Sequence, residues 1–367
     1  MNLPMTENVA VSALLTPLAT QLTSGANPPG LIEFRGAMTR QQLDAPGVET
    51  AALAKEAAAH DLGWMRRITL RGEDRFRWLS GMVTNTVSDL PTNGGAWNLV
   101  LNAQGRIQGD LTVWRDGESV EVEIAANQYD KLMSHFDHFI IMDDVELVAR
   151  DAAAETALGL TGPKASEVLA RMGMPAPTGE MTRQRVEWNG FELSISRTYG
   201  SLAQHFEIWT PLAGLTLLWR ALSTAGAIPV GATSLDSFRI AEGIPAYGID
   251  IVERDLPQET SQVRALHFSK GCYLGQEIVE RIRSRGSVHR HLRQLELDGP
   301  LPSPSTELLL DGTAAGHITS AAELPLESGI RRFALAMIRS EAEVKNLPLT
   351  YGEGAGTARI LTQPPAL

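Results

Sequence analysis

The chain has a single cysteine, Cys272, in 367 residues. That excludes an internal disulfide and any multi-cysteine metal site, and it suits a reducing compartment, so a cytoplasmic location is expected. No run of about 18 apolar residues occurs, so no membrane span is expected. The opening MNLPMTENVAVSALLTPLATQLTSGANPPG has no basic start and no arginine. It therefore reads as a loose tail or short docking helix rather than a secretory or transit segment. A phosphate-binding loop ending in Gly-Lys-Ser/Thr is missing, and so is a nucleophile elbow. GEGAG at 352–356 is only superficially like a dinucleotide glycine cluster, because no helix follows it. His135 and His138 share a helix side without acidic or cysteine companions in any known ligand pattern, and no metal site is read there. The net charge of −11 argues against direct nucleic-acid binding through a general basic surface.

The composition, 43% hydrophobic and 20% charged, is that of an ordinary soluble globular protein. The length calls for two or three domains. WMRRITLRG alternates as a strand, EDRFRWLSGMVTN spaces Phe76, Leu79 and Met82 as a helix with Asp74 available to cap it, and NQYDKLMSHFDHFII reads as a second helix. Turn residues at Gly94-Gly95, Asn102–Gly105 and Asp116-Gly117 break the strands between them. A strand–turn–helix unit restarts near residue 155, and after about 290 short apolar stretches alternate with turns, as in a small β-barrel. The expected organisation is a tail over 1–45, a first α+β domain over 46–150, a second over 151–288 and a C-terminal β-barrel over 289–367.

The densest chemical signal is HFSKGCYLGQEIVERIRSRG, residues 267–286. Gly271 and Gly275 permit close backbone approach. Cys272 stands just before a predicted helix and beside Lys270, and both neighbours favour a thiolate. Behind it, Arg281, Arg283, Arg285, Arg290 and Arg293, with His289 and His291, form a stretch without one acid. It reads either as a solvated basic face or as a site for an anionic group.

KGCYLGQE resembles the signature of the YgfZ-type folate-binding proteins, relatives of the glycine-cleavage aminomethyltransferase that include iron–sulfur assembly factors. LDSFRIAEGIPAYGIDI, LPQET, RGSVHRHL and GHITSAA resemble that family's other segments, as do LRGEDRFRWLSGMVTNTVSDL and LNAQGRIQGDLTVW upstream. The resemblance runs from about residue 50 to 362. It implies an α+β, three-domain aminomethyltransferase-like ring, two folate-binding-type domains plus the barrel, around a central hole that takes tetrahydrofolate. The implied partners are folate and iron–sulfur assembly proteins or the Fe–S enzymes they serve, tRNA-modifying ones among them.

By the same resemblance, Cys272 is the redox or transient ligand residue and Lys270 tunes its charge. Tyr273, Gln276 and Glu277 orient the loop or the ligand, and Asn102, Asp110, Arg239 and Glu242 contact folate. Two departures from the transferase stand out. Its adjacent aspartates are Gly109 and Asp110 here, and its Arg-Thr-Gly-Tyr-Thr-Gly-Glu-Asp-Gly-Phe-Glu is RTYGSLAQHFE, with Ala203 where a pterin-holding carboxylate is expected. These departures favour an accessory folate-binding protein. A tetrahydrofolate-dependent aminomethyl- or methyltransferase, with Asp110 in proton transfer, stays open as the alternative, and so does a pure interaction module.

Overall fold

A computed structural model describes residues 14–22 and 30–367. Most of the opening segment lies outside these residues. What is described of it is a helix, Pro17–Gln21, and a hairpin of Leu31–Phe34 and Ala37–Arg40 built into the fold.

The first sheet runs Gly95–Leu101, Ile107–Asp116, Ser119–Ala125, Met65–Arg71, Glu146–Ala149, all antiparallel. Strict alternation gives it one apolar face. Ile68, Leu70, Leu111, Val113, Val120, Val122 and Ile124 pack under the helices Arg75–Met82 and Ala126–His138. Asp74 makes no cap to its own helix; its carboxylate instead accepts from Asp144 N at 3.0 Å and pairs with Arg77.

The second sheet runs Thr182–Trp188, Phe191–Thr198, His205–Pro211, Glu155–Thr161, Ala58–Asp61, Ile228–Val230, with only the last pair parallel. Leu158, Leu160, Leu193, Ile195, Phe206 and Ile208 pack under the helices Ala165–Arg171 and Leu215–Thr224.

Each sheet thus spends its apolar face on its own helices and turns its polar face toward the other. Arg183 of the second sheet reaches Glu121 Oε2 of the first at 2.6 Å, ion-pairs with Glu123, and donates to Ser196 Oγ at 2.8 Å. Its guanidinium lies 4.4 Å over Trp114. Arg67 of the first sheet holds Glu155 of the second through Nε and Nη2 and stacks 4.5 Å over Trp209. Burial alone would raise the pKa of Glu121, but Arg67, Arg183 and Arg150 outweigh it and hold the carboxyl below its ordinary value.

From Arg290 onward the chain forms a closed six-stranded barrel. Asp250 ties it to the body. Its carboxylate accepts from Arg239 at 2.5 Å, from the Ala246 amide at 3.0 Å, and from the barrel hydroxyls of Thr319 and Ser320 at 2.6 Å each.

Truncating Arg183 leaves Glu121 and Glu123 as buried charges with less compensation. Arg183→Met should cost about 3–5 kcal/mol in urea unfolding, with Arg183→Lys recovering only part because it lacks the planar fork. A loss below about 1 kcal/mol would show that the clamp between the sheets contributes little.

Candidate functional site

Where the two sheets and the helix Ala232–Ala241 meet, their polar faces part around a cavity of about 740 Å³. That is within the range of small-molecule sites. Asp110 is held in its wall by three contacts. Trp97 Nε1 donates to Oδ2 at 2.9 Å, Gln128 Nε2 donates to Oδ1 at 2.8 Å, and the Asp110 amide returns a bond to Gln128 Oε1 at 2.9 Å. Gly109, on the opposite face of the strand, leaves Gln128 the room that this arrangement uses. A Cβ there would stand 2.7 Å from Gln128 Oε1 and 2.9 Å from Leu132. The transferase's second aspartate would dislodge the very side chain that fixes Asp110.

An acid pair, Glu123 and Glu207, also lines the cavity, with Glu123 on the strand next to that of Asp110 and Glu207 on the second sheet. Glu207 Oε2 is buried without a donor. Burial, then the neighbouring Glu123, push the Glu207 pKa well above the usual carboxylate range, with Arg183 opposing. The raised pKa favours the protonated carboxyl, which can donate a proton, to Glu123 among others, or, on ionising, receive a cationic or guanidine-like group. Aromatic rings supply the flat surfaces. Arg264 stacks 3.6 Å over Tyr199 and 5.0 Å over Trp97, and all of these line the cavity with Tyr247, Trp64 and Arg35.

Of the residues singled out from the sequence, Asp110 alone lines this cavity. Arg239 lies beneath the wall, bonded to Asp236 at 2.7 Å and Asp250 at 2.5 Å. Glu242 is buried, pairs with His205 Nε2 at 2.8 Å and accepts from the Leu202 amide at 3.1 Å. Asn102 forms a turn, its Oδ1 accepting from the amides of Gln104 and Arg106 at 3.0 Å.

Cys272 is exposed, on a loop outside the cavity lining, and starts one turn short of the helix Gln276–Arg285, which Gly275 precedes with φ 80°. Lys270 corrects the expectation that it attends the thiol. Its ammonium donates to Ser80 O, Val83 O and Asn85 O at 2.6–2.7 Å, capping the end of the helix Arg75–Met82. Burial pulls its pKa from 10.5 to about 7, against three carbonyls that suit the charged form. Tyr273 lies under the same ammonium, 5.2 Å away, and burial pushes its phenol to about 12. Gln276 opens the helix and Glu277 stands exposed in its first turn.

The basic stretch is also largely spoken for. Arg290 binds Asp255 and Glu259, Arg293 and His291 bind Glu343, and Arg283 pairs with Glu280. Glu280 directly precedes the run, but Asp255, Glu259 and Glu343 lie farther off in the sequence, so the local run of basic residues gives no hint of them. Ala203 needs a second correction. It packs against the core beside Leu202 and is absent from the cavity lining, whereas Glu207, four residues on, faces the cavity. The carboxylate that the sequence comparison counted as lost at 203 is thus not a cavity position here.

Profile matching assigns residues 30–270 to the GCVT N-terminal domain and residues 289–366 to the CAF17 C-terminal beta-barrel domain. The chain belongs to the GCVT N-terminal domain family. It is 29% identical over 318 residues to an aminomethyltransferase of Rubrobacter xylanophilus, covering 85% of this chain and 84% of that protein. It is 25% identical to a chloroplastic putative transferase of Arabidopsis thaliana, covering 80% and 68%. The crystal structure of the glycine cleavage system aminomethyltransferase T from Bartonella henselae superposes with a TM-score of 0.85 at 19% identity, over 97% of this chain and 98% of that one. The α+β, barrel-ended architecture expected of this family member is therefore the observed one. No helix among the described residues is long and apolar enough to cross a membrane.

Because the folded Glu207 pKa lies above its unfolded value, wild-type stability falls as pH rises from the ordinary carboxylate range toward that folded value. Glu207→Gln removes the titration and keeps a neutral side chain. Its melting temperature should therefore gain on wild type between pH 5 and pH 8; parallel melting curves would refute the neutral assignment.

Proposed function

We propose that the cavity binds a reduced folate and that the protein serves iron–sulfur cluster assembly or repair, with Cys272 acting outside the folate site. The observation that carries the folate reading is the pairing of a donor-free buried carboxyl, Glu207, with a clamped carboxylate, Asp110, on the walls of one aromatic cavity. A pterin is flat, with a guanidine-like edge. Glu207 and Asp110 offer that edge acceptors, and Trp97 and the Arg264–Tyr199 stack offer its faces a surface. The folate supplies the one-carbon chemistry of the family's named transferases; this chain's residues bind it, orient it and exclude water.

The accessory reading is supported by the exposed Cys272 within KGCYLGQE and by the CAF17-type barrel. A lone thiol cannot hold a [2Fe–2S] cluster, which takes four protein ligands, so a partner or small thiol completes any transfer. The aminomethyltransferase reading has its own support, from the relatives of that name and from the retained Asp110 and Glu207.

The two separate cleanly. Asp110→Asn should weaken tetrahydrofolate binding by calorimetry about tenfold or more, since a charged acceptor is lost. Cys272→Ser should leave that affinity unchanged yet fail to restore Fe–S enzyme activity in cells lacking the protein. Full restoration by Cys272→Ser, together with methylenetetrahydrofolate formation by the purified protein, would establish the transferase instead.

A further inference from the structure

The hairpin of Leu31–Phe34 and Ala37–Arg40 turns through Arg35 and Gly36, whose φ angles are 50° and 88°. Two positive φ angles in a two-residue turn are the pattern that Asn-Gly satisfies. An arginine is a costly choice at the first position. The tip is also fixed in place. The Asn127 amide donates to Arg35 O at 3.0 Å, and a Cβ on Gly36 would stand 2.4 Å from that nitrogen.

The fixed tip delivers the Arg35 side chain into the cavity, over the rings of Trp64 at 4.8 Å and Phe34 at 5.4 Å. Its Nε is buried without a hydrogen-bond partner, and no carboxylate among the described residues comes within the 4.0 Å of an ion pair. Arg67, Arg183 and Arg239 around the site each hold at least one carboxylate, whereas Arg264, also in the lining, makes no ion pair among the described residues but has its face taken by Tyr199 and Trp97. The charges acting on Arg35 are Arg239, which repels it, and Asp236, Asp110 and Asp250, which attract it. Those acids are already engaged: Asp236 and Asp250 by Arg239, Asp110 by Trp97 and Gln128. Burial, then Arg239, hold the Arg35 pKa below the ordinary arginine value, a cost that a bound anion would offset.

We propose that Arg35 anchors a carboxylate subsite in the cavity, set apart from the acid pair that faces the pterin edge. A planar guanidinium resting on two aromatic rings, with its nitrogens uncommitted, presents a fork for a carboxylate. Two sources carry that chemistry: the glutamate of the folate itself, which rests on the reading above, and a separate small organic acid sharing the cavity.

Arg35→Asn is the informative substitution, because asparagine tolerates the positive φ and the variant should melt no lower than wild type. Calorimetric titration with tetrahydrofolate, with tetrahydropteroate, which lacks the glutamate, and with glycine and acetate separates the sources. The variant should lose about tenfold to a hundredfold in affinity for whichever carboxylate occupies the site, with Arg35→Lys restoring part. A loss for tetrahydrofolate but not tetrahydropteroate assigns the subsite to the folate tail. A loss for glycine or acetate alone assigns it to a second acid. Wild-type binding of glycine or acetate through Arg35 without any binding of tetrahydropteroate would overturn the folate reading and leave the subsite standing. Equal affinities of wild type and Arg35→Asn for every carboxylate tested, or none bound by either, would overturn the subsite.

Discussion

The ion-pair layer between the two sheets is the constraint on which the molecule depends. Amphipathic sheets ordinarily turn their apolar faces inward. Here both apolar faces go outward to helices, and the polar faces meet. Such an interface is stable only where each buried charge is met and its hydrogen bonds are filled. Arg183 meets that demand by dividing its fork between Glu121 and Glu123, giving Nε to Ser196 and its face to Trp114. Arg67 does the same with Glu155 and Trp209. Exact pairing of this kind fixes the spacing and rotation of the sheets in a way that an apolar layer, tolerant of sliding, does not.

The cavity follows from that layer rather than being added to it. Glu123 serves both sides: one oxygen receives Arg183, and the carboxylate stands beside Glu207. Burial, and then the neighbouring Glu123, raise the pKa of Glu207, and Arg183 opposes that only in part. Across the same space, Arg35 is a cation with no acid assigned to it. The cavity thus holds an uncommitted carboxyl and an uncommitted guanidinium, a division that suits a ligand with a donor-rich edge and an anionic group.

Much of the fold was legible because it follows from periodicity. The alternation in WMRRITLRG and in the stretch from Gly94 to Ala125 marks the strands of the first sheet, and the turn glycines mark their ends. What alternation could not reveal was which face is inside. Glu121 and Glu123 in VEVEIA look like solvent-facing positions, yet both are 1% exposed. Glu207 ends RTYGSLAQHFE, where the family pattern also ends in glutamate, but that it lines the cavity near Arg183 shows only once distant strands pair. Asp110 was found through a family pattern, and Arg35 through neither route, since one arginine at a hairpin tip has no periodicity to betray it. Lys270 shows the opposite failure. Sequence proximity suggested that it attends Cys272, while its side chain spans to carbonyls some 185 to 190 positions earlier in the chain.

The cavity and the Cys272 loop are separate places, but they are not mechanically independent. The strand pair that carries Asp110 ends in the Asn102–Gly105 turn, and Gly275, at the end of the Cys272 loop, packs close against that turn. A Cβ on Gly275 would stand 2.5 Å from Asn102 O, and one on Gly105 would stand 2.8 Å from Ile278. The Asn102 side chain, by holding the amides of Gln104 and Arg106, fixes the shape of the surface that the two glycines allow to close. Lys270 fastens the other flank of the loop to the helix over the same sheet. One hairpin turn and one glycine contact therefore join the strand pair that carries Asp110 to the loop bearing the thiol. Gly275 of KGCYLGQE thus serves the joint between the loop and the Asn102–Gly105 turn rather than an approach of backbone to ligand, while a Cβ on Gly271 would meet nothing within 4 Å.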